Sequence, residues 1–187
     1  HFEESDNDLC VFLEDDMTLV KDPGVCSNGF NRLVPDLLSK VKKIIIEEGY
    51  DFLKFCFTEF YGDNSTQWAW YNLPTEARIK HFPNKPRLPQ SGLDKNAPKT
   101  QFSNIKSLNG LTYADGEIYY CNWPQIMSRE GNKKIFLDTK WAHPHEQTWM
   151  SHAYQLLKDG KLRSAVLLAS PINHVRFDHY KSTRKES

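Results

Sequence analysis

The chain has no surplus of charge of either sign: Lys and Arg total 24 and Asp and Glu total 24. It presents no global field to attract nucleic acid or an anionic membrane, so nucleic acid is not an expected partner and any polyanion site must be local. It also lacks long apolar runs. None approaches the roughly 20 residues of a membrane-spanning helix, and no charged-then-apolar signal segment opens the chain, so the expectation is a cytoplasmic protein without a transmembrane segment. Cysteine is sparse, and Cys10, Cys26, Cys56 and Cys121 include no Cys-x-x-Cys pair. They read as reduced core residues. Internal repeats and low-complexity tracts are missing as well.

What is present is apolar residue enough for one core: 39% of 187 residues, with 13% aromatic, which makes disorder a poor description and points to a single domain over 1–187. Leu9-Cys-Val-Phe-Leu13 is a short continuous apolar run ended by Glu14-Asp15-Asp16 and reads as a buried strand. Apolar residues then recur at Leu33, Leu37, Leu38, Val41, Ile44 and Ile45, predicting a helix from Phe30 through Glu48. Asn28 or Asn31 would cap it, Pro35 would lie in its first turn and Gly49 would stop it. Asp51-Phe-Leu-Lys-Phe-Cys-Phe57 follows as a second strand, so strand, helix and strand predict a right-handed βαβ crossover.

From Tyr61 to about Ser107, five prolines among many polar residues predict a long loop. Asp115-Gly116 reads as a hairpin turn between Leu111-Thr-Tyr-Ala114 and Glu117-Ile-Tyr-Tyr-Cys121. Ser128 is placed to cap a short helix through Phe136. Glu146 to Leu157 forms another, with Trp149, Met150, Ala153, Leu156 and Leu157 inward and Gly160 at its end. Ser164-Ala-Val-Leu-Leu-Ala169 is a last buried strand. The fold class is therefore α/β.

Three adjacent carboxylates after a buried strand repel one another, and a bound cation offsets that cost. Open α/β folds also bind ligands at the carboxyl ends of their strands. Mg²⁺ or Mn²⁺ takes oxygen ligands, keeps positions open for phosphate oxygens and neutralises charge as a diphosphate leaves. The alternative is that the acids solubilise a loop and begin a turn.

Val11-Phe-Leu-Glu-Asp-Asp-Met17 resembles the acidic metal-binding motif of GT-A glycosyltransferases. The Leu-Glu-Asp-Asp form is that of the family including bacterial lipooligosaccharide and collagen galactosyltransferases. In that family a later segment commonly reads Ser-Arg-x-Gly-Ala-Lys-Lys and an apolar pair. Ser128-Arg-Glu-Gly-Asn-Lys-Lys-Ile-Phe136 is similar, with Asn132 in place of the alanine. The resemblance implies a GT-A-like, Rossmann-like mixed sheet flanked by helices, of which this chain is only a part, since no nucleotide-binding βαβ units stand ahead of Leu9. It also implies a metal-dependent enzyme that moves a sugar from a nucleotide-sugar donor to a glycan or other hydroxyl acceptor, with inversion.

On that reading Asp16 is the direct metal ligand, and Glu14 and Asp15 serve the donor. Trp123, beside the second motif, can stack on a sugar ring or fill the core. Glu146, at the start of a late helix, is the general base or only a carboxylate favoured by the helix dipole, with Asp138 as its competitor. His174 resembles the late histidine that closes several GT-A metal sites, and His179 is its alternate. Arg176 and the basic residues from Lys181 to Lys185 can pair with diphosphate oxygens or form a solvated tail.

Two other readings remain. His143, His145 and Glu146 with the acid triplet would hold Zn²⁺ in a metallohydrolase, although Pro144 precludes an ordinary helical His-Glu-x-x-His arrangement. A non-catalytic sugar-binding module would instead use the aromatics from Trp68 to Tyr71.

Overall fold

A computed structural model describes residues 5–24, 31–55, 101–118, 122, 124–138 and 145–174. It is a mixed α/β structure. Six strands form one sheet in the order β1-β6-β3-β7-β5-β4: β1 Leu9–Phe12, β3 Phe52–Lys54, β4 Gln101–Leu108, β5 Leu111–Glu117, β6 Gln125–Ser128 and β7 Ser164–Leu167. A separate antiparallel pair joins β2 Met17–Leu19 to β8 Ile172–His174. Only β3 and β7 are parallel neighbours; the other pairings in the main sheet are antiparallel. Strands β1, β3 and β7 therefore point the same way, and their carboxyl ends meet at one edge.

Helix α1, Leu37–Glu48, buries Leu37, Val41, Ile44 and Ile45. These lie three or four residues apart on one stripe and pack with Leu53, Phe55, Ile126 and Leu167 on one face of the sheet. The other face carries α2, Arg129–Asn132, its π-helical continuation Lys133–Leu137, and α3, His145–Lys158. There Ile135, Ala153 and Leu157 close over Phe52, Met127 and Val166. The sheet is thus a middle layer, and each fully buried aliphatic side chain contributes roughly 1.5–3 kcal/mol to holding the helices on it.

Several sequence expectations are corrected. The first strand is not buried: β1 is an edge strand bonded only to β6 among the described residues, and Cys10, Val11 and Leu13 are exposed. Cys10 is thus not a core residue. The strand, helix, strand expectation does meet two parallel strands of one sheet, β1 and β3, joined through α1, with β6 running between them in the opposite direction. The helix begins at Leu37, not Phe30, with Pro35 and Asp36 ahead of it. The preceding backbone bonds elsewhere, Arg32 N–H to the Gly24 carbonyl and the Asn31 carbonyl to Ser170 N–H. Proline also disfavours helical geometry at Val34 before it.

The hairpin turn is Asn109-Gly110. Both residues have positive φ, 52° and 75°, and Leu108 pairs with Leu111, the geometry of a two-residue type I′ turn. Asp115-Gly116 instead lies inside β5, opposite a register shift between Phe102 and Asn104, where glycine accommodates a bulge. The expected loop therefore ends earlier, since β4 starts at Gln101.

Asp115 is the centre of a buried polar network. Its carboxylate accepts from Tyr50 Oη at 2.8 Å and Asn104 Nδ2 at 3.3 Å, and Lys106 Nζ lies 3.1 Å away. Lys106 also donates to Glu48 at 2.6 Å, tying the end of α1 to the β4–β5 hairpin. The Lys106 hydrogen bond holds Glu48 below the usual carboxylate range. Burial alone would raise Asp115, but the bonds from Tyr50, Lys106 and Asn104 outweigh it and hold it low. Carboxylates with depressed values stabilise the fold above their unfolded range of about 4, and that stability is lost as pH falls through the folded values.

Lys106→Met should therefore destabilise the protein at neutral pH by about 1–3 kcal/mol, because a buried carboxylate loses its cation. The gap from wild type should shrink below roughly pH 4, where the carboxylates protonate. Urea unfolding at pH 7 and pH 3.5 checks both.

Gly131 sets a second constraint. A Cβ there would lie within 2.8 Å of the Asp51 carbonyl carbon and closer still to its oxygen. That carbonyl already accepts Ser128 N–H at 2.8 Å, and the Asp51 carboxylate takes Lys134 Nζ at 2.8 Å and Arg163 N–H at 2.7 Å. In an open helix Gly→Ala gains roughly 1 kcal/mol. Here a backbone clash prevails, and Gly131→Ala should cost about 1–3 kcal/mol, lowering Tm by roughly 2–4 °C per kcal/mol. Exposed Glu130→Ala should stay near wild type in the same thermal scans.

Candidate functional site

The acid triplet forms the link between the main sheet and the small one. After β1 the chain turns through Glu14-Asp15-Asp16, and Met17 N–H closes the turn on the Glu14 carbonyl at 3.2 Å. Asp15 is exposed, Glu14 and Asp16 are half-buried, and the Asp16 Oδ1 is closed to solvent. The three acids thus differ in exposure along the turn, Asp15 facing solvent and Glu14 and Asp16 partly covered.

Strand β2 leaves this turn and pairs with β8 in the register Met17 with His174, Thr18 with Asn173 and Leu19 with Ile172. Paired Cα atoms in an antiparallel ladder lie about 4.5–5.5 Å apart. The backbone of His174 therefore stands beside the residue that follows Asp16, although 157 positions of sequence separate Met17 from His174. The pairing holds because Met17 and Ile172 are both buried in the α1-side core. Arg32 donates its guanidinium to Asn173 Oδ1 on the same strand. Sequence reasoning passed over Arg32, because its segment was assigned to a helix.

The remaining acids belong to elements on the other face of the sheet. Helix α3 is joined to β7 by the short connection from Asp159 to Arg163, so it runs opposite to β7 and its first turn, with Glu146, lies at the carboxyl-end edge. His152 Nε2 lies 2.8 Å from the Lys134 carbonyl, and the Phe136 and Trp149 rings meet edge to face at 4.9 Å. The π-helical segment thus climbs toward the start of α3 and ends at exposed Asp138. The side chains of Glu146 and His174 lie outside the described residues, as do Trp123, Arg176, His143, His179, the Trp68 to Tyr71 aromatics and the basic tail. Among the described residues no group of three or more His, Cys, Asp or Glu side chains is gathered to hold a metal.

Two further polar residues lie in this edge region. Lys54 is 7% exposed and Gln125 is fully buried; they pair across β3 and β6, and Gln125 pairs in turn with Phe12 of β1. A lysine this buried is rare unless its charge is matched. The available signal is a single lysine inside an otherwise apolar run, Phe52 to Phe57.

Compared with known protein families, curated proteins and solved structures, the chain matches none. No helix among the described residues is long and apolar enough to cross a membrane.

Proposed function

We propose that this chain belongs to a metal-dependent glycosyltransferase of the GT-A type, moving a sugar from a nucleotide-sugar donor to a glycan or other hydroxyl acceptor with inversion. The observation that carries the reading is the β2–β8 pairing, which sets His174 next to the Glu14-Asp15-Asp16 turn at the carboxyl-end edge of a mixed sheet. Hard carboxylate oxygens and one imidazole suit Mn²⁺ or Mg²⁺, with Asp16 and His174 as ligands and Glu14 and Asp15 toward the donor. Such a cation neutralises charge on the departing diphosphate.

The chain's own groups supply the rest. Glu146, or Asp138 if Glu146 only favours its helix end, takes the proton from the acceptor hydroxyl. The oxygen then bonds to the anomeric carbon from the face opposite the diphosphate, and the bond to that diphosphate breaks with its electron pair leaving on the phosphate oxygen. Trp123 and Arg176 are assigned to the donor.

Calorimetry with nucleoside diphosphates and nucleotide sugars, with and without Mn²⁺, tests this. Metal-dependent binding of at least one diphosphate is expected. No binding, together with zinc retained through purification, would replace this reading with the hydrolase. Glycan binding with no metal or nucleotide would favour the binding module.

A further inference from the structure

A cavity of about 400 Å³ opens on the α1 face, at the same edge as the acid turn. Its walls are the approach to α1, the type I′ hairpin turn and the end of β7, with Asn31, Leu33, Pro35, Lys40, Gly110 and Ala169 among its lining residues. This is the size range of small-ligand sites. Among the described residues the lining includes one ionic side chain, the half-buried Lys40, and no carboxylate. Asp36, one turn earlier, is exposed and stands outside the lining. An ammonium on the wall of such a space favours an anionic ligand group.

The cavity is connected to the acid turn by main-chain bonds. Ala169 leads to Ser170, whose N–H donates to Asn31 at 2.8 Å, and the Pro171 carbonyl accepts Val20 N–H at 2.8 Å. From Val20, β2 runs back to Asp16 over four residues, a span of about 13 Å. The cavity and the acid turn therefore stand at the same end of the sheet, linked through the β2–β8 pair. Resting on the proposed function, we infer that the cavity is an acceptor subsite for an anionic saccharide unit. Lys40 meets its carboxylate or phosphate, Asn31 and the main chain at Gly110 meet ring hydroxyls, and Leu33 and Pro35 cover its apolar face.

The test is direct calorimetric binding of matched uronate-bearing, phosphate-bearing and neutral oligosaccharides to the full chain, without nucleotide. Wild type should bind one anionic series more tightly than the neutral one, and which series wins identifies the anion. Lys40→Glu should weaken that binding tenfold or more and leave the neutral series unchanged, since a charge-assisted bond contributes about 1.5–3 kcal/mol. Leu33→Trp, at a position 37% exposed, should fill the cavity and weaken all three series without lowering Tm. Equal affinity for neutral and anionic ligands in wild type, or unchanged anionic binding in Lys40→Glu with normal Tm, overturns the subsite. Mn²⁺-dependent diphosphate binding, measured on the same samples, should be unaffected by either variant. Its absence in wild type would count against the glycosyltransferase reading and not against the cavity.

Discussion

Asp16→Asn should abolish Mn²⁺-dependent binding of nucleoside diphosphate while leaving the fold intact. The amide keeps the side chain's shape and a neutral carbonyl oxygen but loses the charge that a hard divalent cation requires of its direct ligand. The turn itself is closed by a backbone bond, Met17 N–H to the Glu14 carbonyl, which the substitution leaves in place, so Tm should hold. Calorimetry with and without Mn²⁺, paired with thermal unfolding of the same sample, separates the two effects. Unchanged metal-dependent affinity would remove Asp16 from the metal site and leave the triplet as a solvated turn.

Glu146→Gln should lower transfer by about 10²–10⁴ while leaving nucleotide-sugar and metal affinity nearly unchanged, because a general base acts on the acceptor. Its position in the first turn of α3 allows a simpler role, in which a carboxylate near a helix start contributes about 0.3–1 kcal/mol through the dipole. The two roles differ in what the mutation changes. A lost base lowers kcat with Tm nearly constant, whereas a lost helix-end charge lowers Tm with turnover near normal. The second outcome would make Asp138→Asn the next variant to assay, since Asp138 ends the π-helical segment that packs against α3.

Local patterns were read most accurately where one residue's chemistry is decisive. Ser128 does cap its helix, accepting Gly131 N–H at 3.0 Å. Helix α3 and strand β7 fall close to where periodicity and apolar content put them. The errors arose where two local signals competed. Asp115-Gly116 and Asn109-Gly110 both favour a type I′ turn, and the choice fell to long-range bonds: Asp115 is held by Tyr50 and Lys106, which lock it into a strand. The run at Leu9 looked like a central strand because apolar content does not distinguish a buried strand from an edge strand whose apolar side chains stay exposed.

From the sequence alone come the α/β class, the acid triplet, the capped Ser128 helix and the candidate acids, because these depend on side-chain type and on spacing within a few residues. The tertiary structure decided which strand lies between β1 and β3, where the hairpin turns, and that His174 stands beside the residue after Asp16. It also decided that a single lysine in an apolar run is nearly closed to solvent, and that a cavity lined in part by Lys40 opens at the same end of the sheet as the acid turn. Those outcomes depend on strand order and register, which are set by the pairing of segments far apart in sequence, such as Met17 with His174, and by the side chains both segments bury, and no local window contains them.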